Sequence, residues 1–229
     1  MTTYSEKIGS KKATASILMA TMFALVFCAC TPTIFSGLDK NGKAEIDVNR
    51  LHQFKLRAQR TYTYNVEMVA RGETINGIMA ARYTKDNDEL RIVLTTVFGV
   101  TMIDAVITSD SMTFYKCPEQ MKQKIILAVL QKDLRSIFGL NIQGSKAEAK
   151  IYSNSDKSRY GYTIKNEYGN TNILTDEKKK KAVVVECGSG IKSSTTRFDY
   201  EDYAIEPSCI RLTHEKLGVS MKLWPMKNQ

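Results

Sequence analysis

The chain has 229 residues, 43% of them hydrophobic and 25% charged, with a formal charge of +9. That length buries a sizeable core and argues for one domain of ordinary to large size. The charge is basic without being extreme and reads as a solvated surface that can lie against anionic lipid head groups.

Export is what the N-terminus predicts. Lys7, Lys11 and Lys12 form a positive start, Ala13 to Ala29 carries no charge, and Ile17 to Val26 is rich in Leu, Met, Ala and Phe. This is the layout of a secretory signal. Ala29 supplies a small residue before a cut, and Cys30 then becomes an N-terminal cysteine suited to acylation, as in a bacterial lipoprotein. Cys28 is the alternative, with Leu25 well placed but bulky Phe27 beside the cut. An uncleaved anchor is the other reading, since the uncharged run lies at the short limit for a bilayer span. In either case the body is expected outside the cytoplasm.

The expected divisions are a signal over 1–29, a lipidated N-terminus and flexible tether over 30–44, and a folded domain over 45–229. Pro32, Gly37 and Gly42 among polar residues suggest the tether. Ile46, Leu51, Phe54 and Leu56 predict a helix over 45–59. The period then changes to two. Tyr62, Tyr64, Val66, Met68 and Ala70 alternate with polar residues, and Arg71 to Glu73 turns the chain. Further strands are expected over 74–83, 90–95, 100–108 and 112–116, with a polar turn at Lys85 to Asp88.

Between Glu119 and Phe138 the apolar residues Met121, Ile125, Ile126, Val129, Leu130, Leu134, Ile137 and Phe138 recur at helical steps, and Gly139 supplies a stop. Strands resume over 159–165, 170–175, 182–186, 191–203, 208–214 and 219–223. About ten strands with short connections predict a mainly β, α+β fold, built as one curved antiparallel sheet or unclosed barrel capped inside by helices.

No catalytic set emerges. His52 and His214 are the only histidines and have no second ligand at metal spacing, so no metal and no cofactor is expected, and His214 reads as a surface residue. Cys187 to Ser193 has the glycines of a phosphate loop but the wrong spacing, and Gly188 to Gly190 reads as a hairpin turn. Asp199, Glu201, Asp202 and Glu206 alternate with tyrosines on a strand and read as a wet face. Cys117, Cys187 and Cys209 allow one disulfide, with Cys187 and Cys209 the candidate pair, or three buried thiols. The chain reads as a binding protein and not an enzyme.

A curved sheet partly covered by one helix leaves apolar side chains to line a cavity suited to acyl chains, where binding comes from area removed from water, about 25 cal/mol per Å². The candidate lining is Val66, Met68, Leu94, Phe98, Met102, Val106, Phe114, Leu130, Leu134 and Phe138. The same residues can instead form an ordinary packed core.

The segments Tyr64 to Gly72, Gly77 to Arg82 and Leu90 to Gly99, the helical Leu130 to Leu134, and the stretch from Tyr200 through Pro207 to Lys222 resemble the Lol-type (LolA/LolB-like) lipoprotein carriers and receptors. The resemblance covers residues 62–223 and is one of pattern. It implies passive binding of lipid or lipoprotein acyl chains, an outer-membrane location facing the periplasm or the cell surface, a part in lipoprotein localisation, and a monomer that meets a periplasmic carrier protein. The family's receptor also inserts an exposed apolar loop into the membrane, whereas the turn at Lys85 to Asp88 is polar. A structural or partner-binding surface lipoprotein with no ligand cavity is the alternative.

Overall fold

The computed structural model describes residues 33–51, 54, 56–70, 72–119, 124–142, 146–166, 169–176, 181–188, 193–201 and 204–226. The expected signal, Cys28, Cys30 and His52 lie outside them. Met1–Ser36 separates from Gly37–Gln229, and in the first unit Thr33–Phe35 makes a single 3₁₀ turn.

Thirteen strands build the second unit: β1 (Asp39–Asp47), β2 (Thr61–Ala70), β3 (Glu73–Thr84), β4 (Glu89–Thr96), β5 (Thr101–Ile107), β6 (Met112–Lys116), β7 (Lys146–Ser153), β8 (Arg159–Asn166), β9 (Gly169–Asp176), β10 (Lys181–Cys187), β11 (Ser194–Asp199), β12 (Cys209–His214) and β13 (Val219–Pro225). Helix α1 (Lys124–Ile137) lies between β6 and β7. All thirteen strands join one antiparallel sheet in the order β1-β7-β8-β9-β10-β11-β12-β13-β2-β3-β4-β5-β6, with β1 and β6 at its two edges among the described residues. The predicted class, an unclosed antiparallel sheet with an internal helix, is the observed one.

Two runs of neighbouring hairpins, β2 to β6 and β7 to β13, meet where β13 pairs with β2 over Ala70↔Val219 to Tyr64↔Pro225. Alternation places Tyr62, Tyr64 and Val66, then Leu90, Ile92 and Leu94, then Ile103, Ala105 and Ile107 on one buried face. Gly77 has to be glycine, because an added Cβ would lie 2.2 Å from the Thr95 carbonyl oxygen on β4.

The sheet wraps round α1. The helix packs on β10, β11 and β12, while the Phe138 ring lies 5.9 Å from that of Tyr64 on β2. Gln131 donates to the carbonyls of Thr108 and Ser109 after β5, at 3.2 and 3.1 Å. From Lys132 to Phe138 the helix is buried on every side.

Two expectations at the N-terminal end are corrected. Residues 39–47 form β1 and not a tether, and the helix predicted over 45–59 is absent: β1 runs to Asp47, Val48–Leu51 is a 3₁₀ turn, and no helix follows among the described residues. The apolar spacing was a sound guide to burial all the same. Leu51, Phe54 and Leu56 join the core along a crossing segment that bonds through Leu56 N–H to the Phe138 carbonyl and through Gln59 N–H to Tyr83. β1 and β7 went unpredicted because their sequences, DKNGKAEID and KAEAKIYS, are made of helix formers and charges. Pairing with each other, from Asp39↔Ser153 to Asp47↔Lys146, overrides that propensity.

Candidate functional site

At one end of the sheet the β4–β5 connection presents apolar side chains to solvent. Two backbone bonds close it: Gly99 N–H donates to the Thr96 carbonyl and Thr96 N–H to the Val100 carbonyl, both at 2.9 Å. Val100 N–H also donates to the Thr96 hydroxyl at 3.2 Å. Gly99 closes the turn at φ +80°, a conformation that disfavours a side chain. Val97, Phe98 and Val100 therefore stand outward, 62%, 90% and 59% exposed.

Beneath this tip the core margin is soft. Thr96 pairs with Gly77 and Gly77 with Val66, so the tip leaves the sheet at the end where β2 turns into β3. Met68 and Met102 lie at that end, half-buried against the core, and Met112, Phe114 and Leu130 continue the half-buried margin. Methionine is unbranched and polarizable, suited to surfaces that repack.

The far side of α1 meets a different wall. Ser194 Oγ donates to Asp133 Oδ1 at 2.6 Å, and Lys132 Nζ lies 3.3 Å from the same carboxylate oxygen. Asn141 Nδ2 donates to the Cys187 sulfur at 3.0 Å, and Ser136 Oγ lies 3.3 Å from it. Arg135 crosses to the β3–β4 turn, where Nη2 donates to Asp88 Oδ2 and to the Leu140 carbonyl, each at 2.9 Å. Burial pushes the Asp133 carboxyl up, opposed by Lys132, and pushes the Cys187 thiol up.

His214 is fully buried here, which corrects the surface reading. Neither ring nitrogen finds a hydrogen-bond partner among the described residues. Burial lowers its pKa, against an opposing pull from Asp133. Its alternation with Ile210 and Leu212 on β12 was the available sign that it points inward.

The predicted lining residues divide into three groups. Val66, Leu94, Leu134 and Phe138 are deep in one packed cluster. Met68, Met102, Phe114 and Leu130 form the half-buried margin. Phe98 and Val106 are corrected: Phe98 is at the exposed tip, and Val106 pairs with exposed Arg91 and Thr113 on the outer face. The signal missed for Phe98 was Gly99 immediately after it, a turn former at the end of a strand.

Cys117, Cys187 and Cys209 are free thiols, so the candidate Cys187–Cys209 bridge is not formed. Asp199 pairs with Arg211 at 2.9 Å on a solvated face.

A groove of about 610 Å³ lies elsewhere, on β1, β7, β8 and the start of β9. None of the ten predicted lining residues borders it.

No family model and no curated protein matches the chain. Two solved structures are similar at a distance. A DUF1329 family protein from Desulfovibrio piger shares 8% identity at a TM-score of 0.41, over 74% of this chain and 85% of its own. A domain from Vibrio parahaemolyticus, named for outer membrane lipoprotein sorting, shares 9% identity at 0.38, over 74% and 86%. Likenesses this distant carry no functional weight.

Proposed function

We propose that the chain is an exported envelope protein, tethered by acyl groups on Cys30 to the periplasmic or outer face of the outer membrane, that binds acyl chains of lipids or lipoproteins and helps to place lipoproteins. The carrying observation is the exposed trio Val97, Phe98 and Val100 standing over the half-buried margin of Met68 and Met102. The bonds at Thr96, Gly99 and Val100 lower the cost of seating this turn at the membrane interface, where its remaining backbone groups stay within reach of water and head groups. Moving one phenylalanine and two valines out of water contributes about 5 kcal/mol. That holds a free protein weakly but orients one that is already tethered.

An acyl chain would pass from the bilayer along Met68, Met102, Phe114 and Leu130, over a floor made by Val66, Leu94, Leu134 and Phe138. Binding is passive. Release costs little because the membrane is an equally good apolar solvent, and no covalent step or cofactor is needed.

The test uses the chain from residue 30 onward with Cys30→Ser, which removes both the apolar signal and the acyl tether. Phosphatidylcholine vesicles should carry this protein in a flotation gradient, and Phe98→Asp should abolish flotation while circular dichroism stays unchanged. Mass spectrometry of the purified protein should show co-purified lipid. Equal flotation of both proteins, or a lipid-free preparation that admits no fluorescent fatty acid, overturns the reading. The complete burial of Ile137 and Phe138 favours a second reading, a surface lipoprotein with a solid core whose outer face binds a partner.

A further inference from the structure

The groove on β1, β7 and β8 has a charge pattern that the acyl-binding reading does not use. Lys43, Lys146, Lys150 and Lys165 line it against a single carboxylate, Glu148. Glu148 is held by Lys43 at 3.0 Å, and Lys146 is answered by Glu45 at 2.7 Å. Lys150 stands directly opposite Lys43 across the β1–β7 ladder, an arrangement of like charges that destabilises a sheet. On its other side Lys150 faces Thr163 of β8. Lys165 lies two residues beyond Thr163 on the same face, a diagonal neighbour about 7 to 8 Å from Lys150. Neither Lys150 nor Lys165 makes an ion pair among the described residues.

The polar side chains beside these two lysines are largely committed within the protein, the Thr163 hydroxyl donating to Asn172 Oδ1 at 2.8 Å and Asn166 Nδ2 to the Asn141 carbonyl and Thr171 Oγ1 at 2.9 and 2.8 Å, so the ammonium groups are the donors an anion would meet. Thr163, Asn166 and Asn170 border the groove beside Lys150 and Lys165, and Ile142 supplies apolar surface. The volume falls within the range of about 300–1,000 Å³ usual for small-molecule sites, which favours a head group over a macromolecular partner.

We infer that this groove binds the phosphodiester of an acidic phospholipid, with Lys150 and Lys165 as the two cationic contacts and the first carbons of its chains against Ile142. The site stands apart from the Phe98 tip, so either can fail without the other.

Calorimetric titration of the full chain would use dihexanoyl phosphatidylglycerol below its micelle concentration, with dihexanoyl phosphatidylcholine and inorganic phosphate as separate arms. The glycerol lipid should saturate a single site at least about tenfold more tightly than the choline lipid, as two lysines at a lipid surface imply. Lys150→Glu with Lys165→Glu should lose that preference, and Lys150→Arg with Lys165→Arg should keep it. Phe98→Asp should leave it unchanged. Equal affinity for the two lipids, undiminished binding by the double glutamate variant, or inorganic phosphate binding as tightly as the lipid would each overturn the proposal. Thermal melting of both double variants shows whether the fold is intact. If the glutamate variant is unfolded, protection of the lysines from acetylation by the glycerol lipid decides: protected Lys150 and Lys165 support the site, and unprotected ones overturn it.

Discussion

The two walls that α1 touches are built from different chemistry. On β2 to β5 the helix shares one apolar cluster with Tyr64, Val66, Leu94 and Ile103, with methionines along the margin, and its polar contacts there are confined to the strand ends, where Arg135 meets Asp88 and Gln131 meets the Thr108 and Ser109 carbonyls. On β9 to β12 it meets Ser194 through Asp133 and Cys187 through Ser136, with the Lys132–Asp133 ion pair and the His214 ring buried alongside. An apolar wall tolerates many packings of similar area, whereas a polar wall penalises every arrangement but one. The polar side therefore fixes where the helix sits, and the apolar side is free to yield.

The sharpest way to break this contrast is Asp133→Ala, which leaves Lys132 a buried charge without its carboxylate and takes away the acceptor of Ser194. Chemical denaturation should show a loss of about 3 to 5 kcal/mol. A loss below about 1 kcal/mol would mean that the polar wall is solvated and does not hold the helix. Leu94→Ala on the apolar wall should cost about 3 kcal/mol, by transfer and cavity terms. Acyl probes should then bind as well or better in the enlarged space.

A smaller effect comes from pH. Since the folded-state pKa of His214 is lowered, below about pH 6.5 the unfolded chain holds a proton that the folded chain refuses. Stability from this site is full above that pH and falls beneath it, by up to about 1.4 kcal/mol per pH unit. The raised Asp133 acts in the opposite sense, its contribution declining as pH rises above about 4. His214→Leu should remove the acid-side fall between about pH 6.5 and 5, and a stability profile that overlays that of the wild type would show that the ring is already charged. Phe98→Asp is the smallest in stability, within about 0.5 kcal/mol, because the side chain packs on little. A large loss of stability there would place Phe98 in the core and remove the membrane-facing tip.

Much of the fold was legible because period-two alternation survives wherever a strand has one wet face, as in Tyr62 to Ala70 and Leu90 to Leu94. The helix was legible from its apolar stripe, but its buried charges were not. Lys132, Asp133 and Arg135 look like an ordinary solvated face until the strands close over them. β1 and β7 escaped notice because each lacks apolar alternation strong enough to outweigh its helix formers. Of the candidate lining residues, Val66 and Leu94 were put on the buried face by alternation. Phe98 and Val106 were not, since one sits past the end of its strand and the other has the opposite parity to Ile103, Ala105 and Ile107.

The sheet order also sets a timetable. β2 must wait for β13, the last of the described strands, and β1 must wait for β7, so neither of these two strands finds its outer neighbour until distant residues arrive. Before Val219–Pro225 docks, the molecule is two separate meanders with open flanks. Completion is thus slow to start and abrupt to finish, as expected when the decisive pairings are remote in sequence. A polypeptide threaded through a membrane from its N-terminus would stay unfinished until Val219–Pro225 had crossed.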